Sequence, residues 1–272
     1  MIKTTLIISF YKRTDYLELI LAGIRSQNFK DFEIIIADDG SNSEDIKKLT
    51  SIIAGFPFPV IHLWHKDLGF RKNRILNRAI LTASSDYLIF IDGDCIPHPN
   101  FVGEHYLNRC KGVCFTGRRV NLSEKITGSL TPRLVSTGYI QKKFYKLIWD
   151  GITGNSDCVE KGFYFKNDFL RKKINSKYRG IVGCNFSVFK SDLLEINGFD
   201  TRYEAPSIGE DTDIEYRLKL KGVEIKSLNN IAVQYHLFHK LQERKQVNVD
   251  LFNEVKVEGQ FFTRFGIKKV TP

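Results

Sequence analysis

Three predominantly apolar runs, TTLIISF (residues 4–10), FEIIIAD (residues 32–38) and DYLIFID (residues 86–92), constrain this chain more than any other feature. None shows the polar alternation of a half-solvated strand, so both faces of each must be covered, as in a parallel sheet between layers of helices. Segments of helical spacing separate them. TDYLELILAGIRSQ (14–27) places apolar residues on one face behind Thr14 or Asp15 as N-cap. SEDIKKLTSIIAG (43–55) and RKNRILNRAILTA (71–83) read as further helices, and PVIHLWH (59–65) as a further strand. The result is a βαβαβαβ series, which predicts an α/β fold with a mostly parallel sheet and ligands at the carboxyl ends of its strands. That rule brings residues 9–13, 38–41 and 92–94 to one crevice.

After residue 99 the alternation weakens. Residues 118–179, rich in Lys, Gly and aromatics, show no clear period; they are expected to be irregular, with one helix around LVSTGYIQKKFYKLIW (134–149), and to carry substrate-specific loops. Order returns in RGIVGCNFSVFKSDLLEINGFD (179–200), a strand then a helix, and in EDTDIEYRLKLKG (210–222), a helix whose acidic first turn suits its dipole.

The 272 residues suffice for one large domain with a substantial core. No run of about 18 apolar residues occurs, and the apolar part of MIKTTLIISFYKRTDY is short for a secretory signal, so a cytoplasmic location is expected. Five scattered cysteines without a CxxC pair argue for reduced, buried thiols rather than a disulfide framework or zinc ribbon. A net charge of +10 suits an anionic partner: nucleic acid, a phosphorylated small molecule or an acidic membrane. The clusters RKKINSKYR (171–179) and HKLQERK (239–245) read as solvated faces or as a means of orienting the chain on an anionic bilayer.

The chemistry concentrates where strands end. Asp92 and Asp94 flank Gly93 and can direct oxygens at a hard divalent cation, the glycine leaving room for a close ligand. DDGS (38–41) closes an adjacent strand, and Arg71 and Lys72, near a helix start, can approach phosphate oxygens. In GEDTD (209–213) the carboxylates Glu210 and Asp211 are either dipole partners or include a general base. His62, His65, His98 and His105 have no metal-specifying spacing and read as structural or surface residues.

In this order, LIISFYKRTDYLELILAGIRSQ, IIIADDGS, GFRKNRILNRAI, DYLIFIDGDCIPHPNF, GCNFSVFKSDLLEINGFD, GEDTDIEYRLKLKG and HLFH resemble the family 2 glycosyltransferases of GT-A fold. From Gly183 onward the likeness is to β-1,4-galactosyltransferases and chondroitin-synthase-like enzymes. The resemblance implies one domain over 1–272, with a nucleotide-sugar half (1–100) and an acceptor and catalytic half (101–272). It implies inverting transfer of Gal, GalNAc or a related sugar from a UDP-sugar to a glycan or lipid-linked glycan, assisted by Mn²⁺ or Mg²⁺, in lipopolysaccharide or capsule synthesis. It assigns Ser9, Phe10, Arg13, Asp38, Asp39, Arg71, Asp92, Gly93 and Asp94 to the nucleotide sugar and Gly183, Asn185 and Glu210 to the donor or acceptor side. Asp94, with Asp92, would hold the metal, completed by His239 and His236, which HLFH at i, i+3 would set on one side of a helical turn. Asp211 would be the base. On that helix Glu210 and Asp213 are expected to share a face, with Asp211 pointing elsewhere.

One departure is YEAPSIGED (203–211), which lacks the tryptophan that related galactosyltransferases carry before the acidic motif; Trp149 is a candidate for stacking on a sugar, beside the plainer reading of a core residue. Two other functions compete. A metal-dependent nucleotidyltransferase would want a Gly-rich phosphate loop, which LIISFYKRTDY is not. A non-catalytic module binding a nucleotide sugar or nucleic acid would need no GEDTD, and no RNA-binding motif appears.

Overall fold

A computed structural model describes residues 1–175, 177, 180–206, 209–240 and 245–268. Its strands are β1 (Thr4–Phe10), β2 (Phe32–Asp38), β3 (Val60–Trp64), β4 (Tyr87–Asp92), β5 (Cys95–Pro97), β6 (Val113–Thr116), β7 (Arg119–Asn121), β8 (Phe186–Phe189), β9 (Glu224–Ser227) and β10 (Gln234–His236). Seven form the main sheet in the order β3-β2-β1-β4-β8-β6-β9. Pairing is parallel from β3 through β4 and between β6 and β9, whereas β8 runs against both its neighbours.

The apolar runs are covered on both faces as their composition requires. Leu6, Ile8, Ile34, Ile36 and Ile89 enter one core, while their alternates Ile7, Ile35, Leu88 and Phe90 enter the other. Each fully buried Ile or Leu contributes about 1.5–3 kcal/mol, so these strands hold the sheet's register against a one-residue slip. The helices Thr14–Arg25, Ser43–Ile53 and Lys72–Thr82 lie where their periodicity places them. The first starts differently from expectation: Arg13, not Thr14 or Asp15, is the N-cap, and no side-chain cap bond forms, because Lys12 turns the chain with φ +59 and commits Thr14 to the helix.

A second, small sheet of order β5-β10-β7 folds late sequence onto early sequence. Its register sets His236 opposite Cys95, and Leu237 N donates to Asp94 O at 2.8 Å. HLFH is therefore a strand end and the bend after it, not a helical turn, because its backbone groups are claimed by the neighbouring strands.

Within the irregular segment, the stretch expected to form one helix around residues 134–149 forms three short ones, Pro132–Ser136, Tyr139–Lys142 and Phe144–Ile152; Gly138, left-handed at φ +72, breaks the run. The thiols divide: Cys95, Cys114 and Cys184 are buried, Cys110 and Cys158 exposed, and all are free. No helix among the described residues is long and apolar enough to cross a membrane.

His98 and His105 are buried as structural groups. His105 is fully enclosed, its Nδ1 2.7 Å from Ser187 Oγ and its Nε2 3.0 Å from Asn185 Oδ1, and burial pushes its pKa down to about 3 against the Asn185 bond that raises it. Unfolding returns it to about 6.5, so its contribution to stability is complete above pH 6.5 and is lost as pH falls toward 3, at about 1.4 kcal/mol per unit. Urea unfolding between pH 7.5 and 4.5 checks this: the loss of stability on acidification should be shallower in His105→Asn than in the parent, and parallel curves would refute it.

Candidate active site

The carboxyl ends of β1, β2 and β4 open into a cleft of about 720 Å³, as the crevice rule requires. Ser9, Phe10, Arg13, Asp39, Asp92, Gly93, Asp94, Gly183, Glu210, Asp211, His236 and His239 all line it. Gly93 is required there: a Cβ on it would stand 2.8 Å from Ser9 O.

Three assigned residues sit elsewhere. Asp38 is fully buried below the cleft, where Oδ1 accepts from Ser41 N and Oγ at 2.8 and 2.7 Å and Oδ2 pairs with His62 Nε2 at 3.0 Å; it builds the DDGS turn while Asp39 faces the cleft. Arg71 reaches the site by its backbone, N donating to Asp39 Oδ2 at 2.9 Å, but its guanidinium turns back to Leu68 O. Asn185 is fully buried and donates to Ala232 O and Arg118 O, so it braces the cleft wall from behind. Trp149, 68% exposed, is not among the cleft residues. Tyr203 is buried against Gly209, whose φ of +117 and missing Cβ let the ring seat at the start of the helix Glu210–Leu220.

At the cleft floor Lys72 bridges two motifs. Its Nζ donates to Asp92 Oδ1 at 2.7 Å and to Glu210 Oε1 at 2.6 Å, and Ser9 Oγ donates to the same Asp92 oxygen at 2.6 Å. Burial works against the ammonium, but the two carboxylates raise its pKa well above the ordinary lysine value. Burial pushes Glu210 up to about 7, opposed by Lys72 and helped by Asp92 and Asp211. Glu210 Oε2 is buried without a hydrogen-bond partner among the described residues.

Asp211 stands beside it. Oδ1 accepts from Thr212 N at 2.8 Å and Oδ2 from Gly183 N at 3.2 Å, so backbone groups orient the carboxylate in the cleft. Glu210 and Asp211 thus share the cleft and Asp213 does not: it is buried with Arg217, Oδ2 accepting from Nε at 2.8 Å. The expected pairing of faces fails because the first turn is splayed between Lys72 on one side and Gly183 on the other.

Opposite lies the Asp94 cluster. Asp94 Oδ2 is 3.4 Å from His236 Nε2 and 3.2 Å from His239 Nε2, and the two nitrogens are 3.1 Å apart. Adjacent donors around a cation with bonds of about 2.1–2.2 Å lie about 3 Å from one another, so the triangle fits three neighbouring positions of one coordination shell. Cys95 lies close by, but burial and Cys184 push its thiol well up, and it donates to Asp94 Oδ1 at 3.1 Å rather than offering a thiolate. Burial raises the Asp94 pKa, yet the two imidazoles outweigh it and hold the carboxyl below its usual range. Ser9 and Lys72 both engage Asp92 Oδ1, whereas Asp94, His236 and His239 converge on one another.

Two of the histidines read as structural or surface residues support the DDGS turn. His62 pairs with Asp38, and His65 Nε2 lies 2.7 Å from Asp39 Oδ1. His62 lies on β3 and His65 just past its end, and the pairing of β3 with β2 sets Trp64 beside Asp38, so a strand-neighbour argument would have found them. Tyr11, within the expected 9–13 turn, also lines the cleft, as do Tyr16 and Arg119, which nothing in their sequence surroundings marks.

The profile described as Glycosyl transferase family 2 matches residues 5–187, and the chain belongs to this family. A second profile, the N-terminal domain of galactosyltransferase, matches residues 165–240, the stretch that carries Gly183, Glu210, Asp211, His236 and His239. Among similar curated proteins, the uncharacterized glycosyltransferase YfnE of Bacillus subtilis is 26% identical over 87% of this chain and 65% of its own length. A GalNAc(5)-diNAcBac-PP-undecaprenol beta-1,3-glucosyltransferase of Campylobacter jejuni is 24% identical over 74% of this chain and 56% of its own. The poly-beta-1,6-N-acetyl-D-glucosamine synthase of Staphylococcus aureus is 24% identical over 82% and 47%. The chain therefore spans about half to two thirds of the length of these relatives.

Among solved structures, GalNAc-T7 with UDP, GalNAc and Mn²⁺ superposes with a TM-score of 0.60 at 14% identity, over 88% of this chain and 44% of that one. The mannosyltransferase PcManGT of Pyrobaculum calidifontis, in complex with GDP-Man and Mn²⁺, gives 0.56 at 14% identity over 88% and 57%. The fold is GT-A.

Proposed function

We propose that this protein is an inverting glycosyltransferase that moves Gal, GalNAc or a related sugar from a UDP-sugar to a hydroxyl of a glycan acceptor in surface polysaccharide synthesis. The observation that carries this is the oriented Asp211 carboxylate in the same cleft as the Asp94, His236 and His239 triangle. Names of relatives support an acceptor of this class: one glucosylates an undecaprenol-linked glycan, and another builds a poly-N-acetylglucosamine.

Asp94, His236 and His239 would hold Mn²⁺ or Mg²⁺, which when bound offsets charge on a departing diphosphate. Ser9, Phe10, Arg13 and Asp39, on the ends of β1 and β2, would receive the nucleoside. Glu210, which lines the cleft beside Asp211, would border the donor or acceptor sugar. Asp211 takes the proton from the acceptor hydroxyl as it attacks the anomeric carbon and the bond to the diphosphate breaks. Glu210 and Asp92 are both bound to Lys72, so neither carboxylate is set up as the nucleophile a double displacement would require. One displacement inverts the configuration.

Screening UDP-sugars with Mn²⁺ for release of UDP, then fixing the anomeric configuration of the product by NMR, tests the reading; retention of configuration would overturn it. His239 supplies a separate check. With His239→Ala, the metal concentration for half-maximal activity should rise about tenfold or more while the melting temperature holds, since a 32% exposed side chain contributes little to the core. A melting-point drop with unchanged metal demand would make His239 merely structural.

A further inference from the structure

The helix Phe144–Ile152 buries Leu147 and turns Tyr145, Trp149 and Ile152 outward, 59%, 68% and 71% exposed. Their spacing of i, i+4 and i+7 puts them on one stripe. The stripe has a neighbour. Phe144 stacks edge-on with Phe163 at 4.9 Å, and Lys161, on the single turn Val159–Gly162, donates to Asn175 Oδ1 at 3.1 Å, beside the helix Asp168–Ile174. That helix exposes Phe169 and Ile174 by 74% and 58%. Two short helices tied to one turn thus leave large apolar side chains in water, and the described structure lays nothing over them.

The surroundings are basic. Residues 133–177 contain ten Lys and Arg against four Asp and Glu, and Lys142, Lys143, Lys146 and Lys166 are exposed. We propose that this face docks on an anionic phospholipid bilayer, with Tyr145, Trp149 and Ile152 entering the interface and the lysines meeting lipid phosphates. Apolar and aromatic residues within a basic ring are what an interfacial site requires, each alone being insufficient. The same charge disfavours a second copy of this chain as occupant, because a twofold contact would set the positive face against itself. The segment leaves the cleft wall after Arg119 and returns to it at Val182, so docking would bring the cleft rim toward a lipid-linked acceptor. That last link rests on the proposed transfer; the docking does not.

The test uses the full chain with chelator and without donor, so its failure leaves the transfer reading untouched. The chain has two tryptophans, and Trp64→Phe leaves Trp149 as the reporter. The protein should sediment with phosphatidylglycerol–phosphatidylcholine vesicles and not with phosphatidylcholine alone. Trp149 emission should shift to the blue and be quenched by bromine-labelled lipid. Trp149→Ser with Ile152→Ser should weaken vesicle binding by about tenfold or more with an unchanged melting temperature, and Lys142→Glu with Lys146→Glu should do the same. Absence of sedimentation, sedimentation without Trp149 quenching, or unaltered binding in the charge variant would overturn the proposal. So would a dimer that the Trp149→Ser, Ile152→Ser variant dissociates, which would give the face to a second copy.

Discussion

Asp211→Asn should fold, bind UDP as the parent does, and transfer sugar about 10² to 10⁴ times more slowly, the range that a general base supplies. Asparagine keeps the size of the side chain and can still accept one of the two backbone hydrogen bonds that orient Asp211, that of Thr212 N or that of Gly183 N, so the fold survives while the proton acceptor is lost. Glu210→Gln is the control and should act differently. Its amide cannot hold Lys72 as a carboxylate does, so Asp92 and the helix start are disturbed together, and the melting temperature should fall along with activity. Full transfer by Asp211→Asn to a verified acceptor would remove it as the base.

The second large effect belongs to Asp94→Ala. Removing the only carboxylate of the triangle leaves two imidazoles and no anionic ligand, so UDP titrated calorimetrically in Mn²⁺ should bind no better than it does in chelator. Activity should drop about 10²-fold or more, corresponding to the several kcal/mol that a cation at the leaving group is worth. Retained Mn²⁺-dependent UDP binding would move the metal away from Asp94. Asp92→Asn separates the two aspartates: it should spare the metal requirement and weaken the hold on Lys72.

The first half of the fold was legible because burial on both faces writes itself as continuous apolar runs, and three such strands with helices between them leave few alternatives. The cleft followed from the same rule, as strand ends announce themselves at Asp38, Asp92 and the glycines after them. Side-chain direction was less legible. Asp38 and Asp39 are adjacent in sequence and face opposite ways in a strand, so a motif cannot say which one meets a ligand. Arg71 and Lys72 differ by one step of a helix start, and the one without a large flexible guanidinium is the one that turns inward. HLFH met Asp94 through a sheet whose partners are well over a hundred residues apart, which no local period encodes. Resemblance supplied that meeting, and the pairing of β10 with β5 explains it.

The direction of β8 carries a further consequence. Phe186 sits beside Phe90, so β8 begins at the edge of the sheet where the parallel strands end. The long excursion of residues 122–182 accordingly starts and finishes at the same rim, like a handle with both ends fixed to one lip of a vessel. Between those ends Leu130, Val135, Ile140 and Leu147 enter the core, so it is the exposed turns of the excursion, not its buried residues, that can change length without sliding a strand past its neighbour. Variation confined to those turns leaves the ends of β1, β2 and β4 untouched.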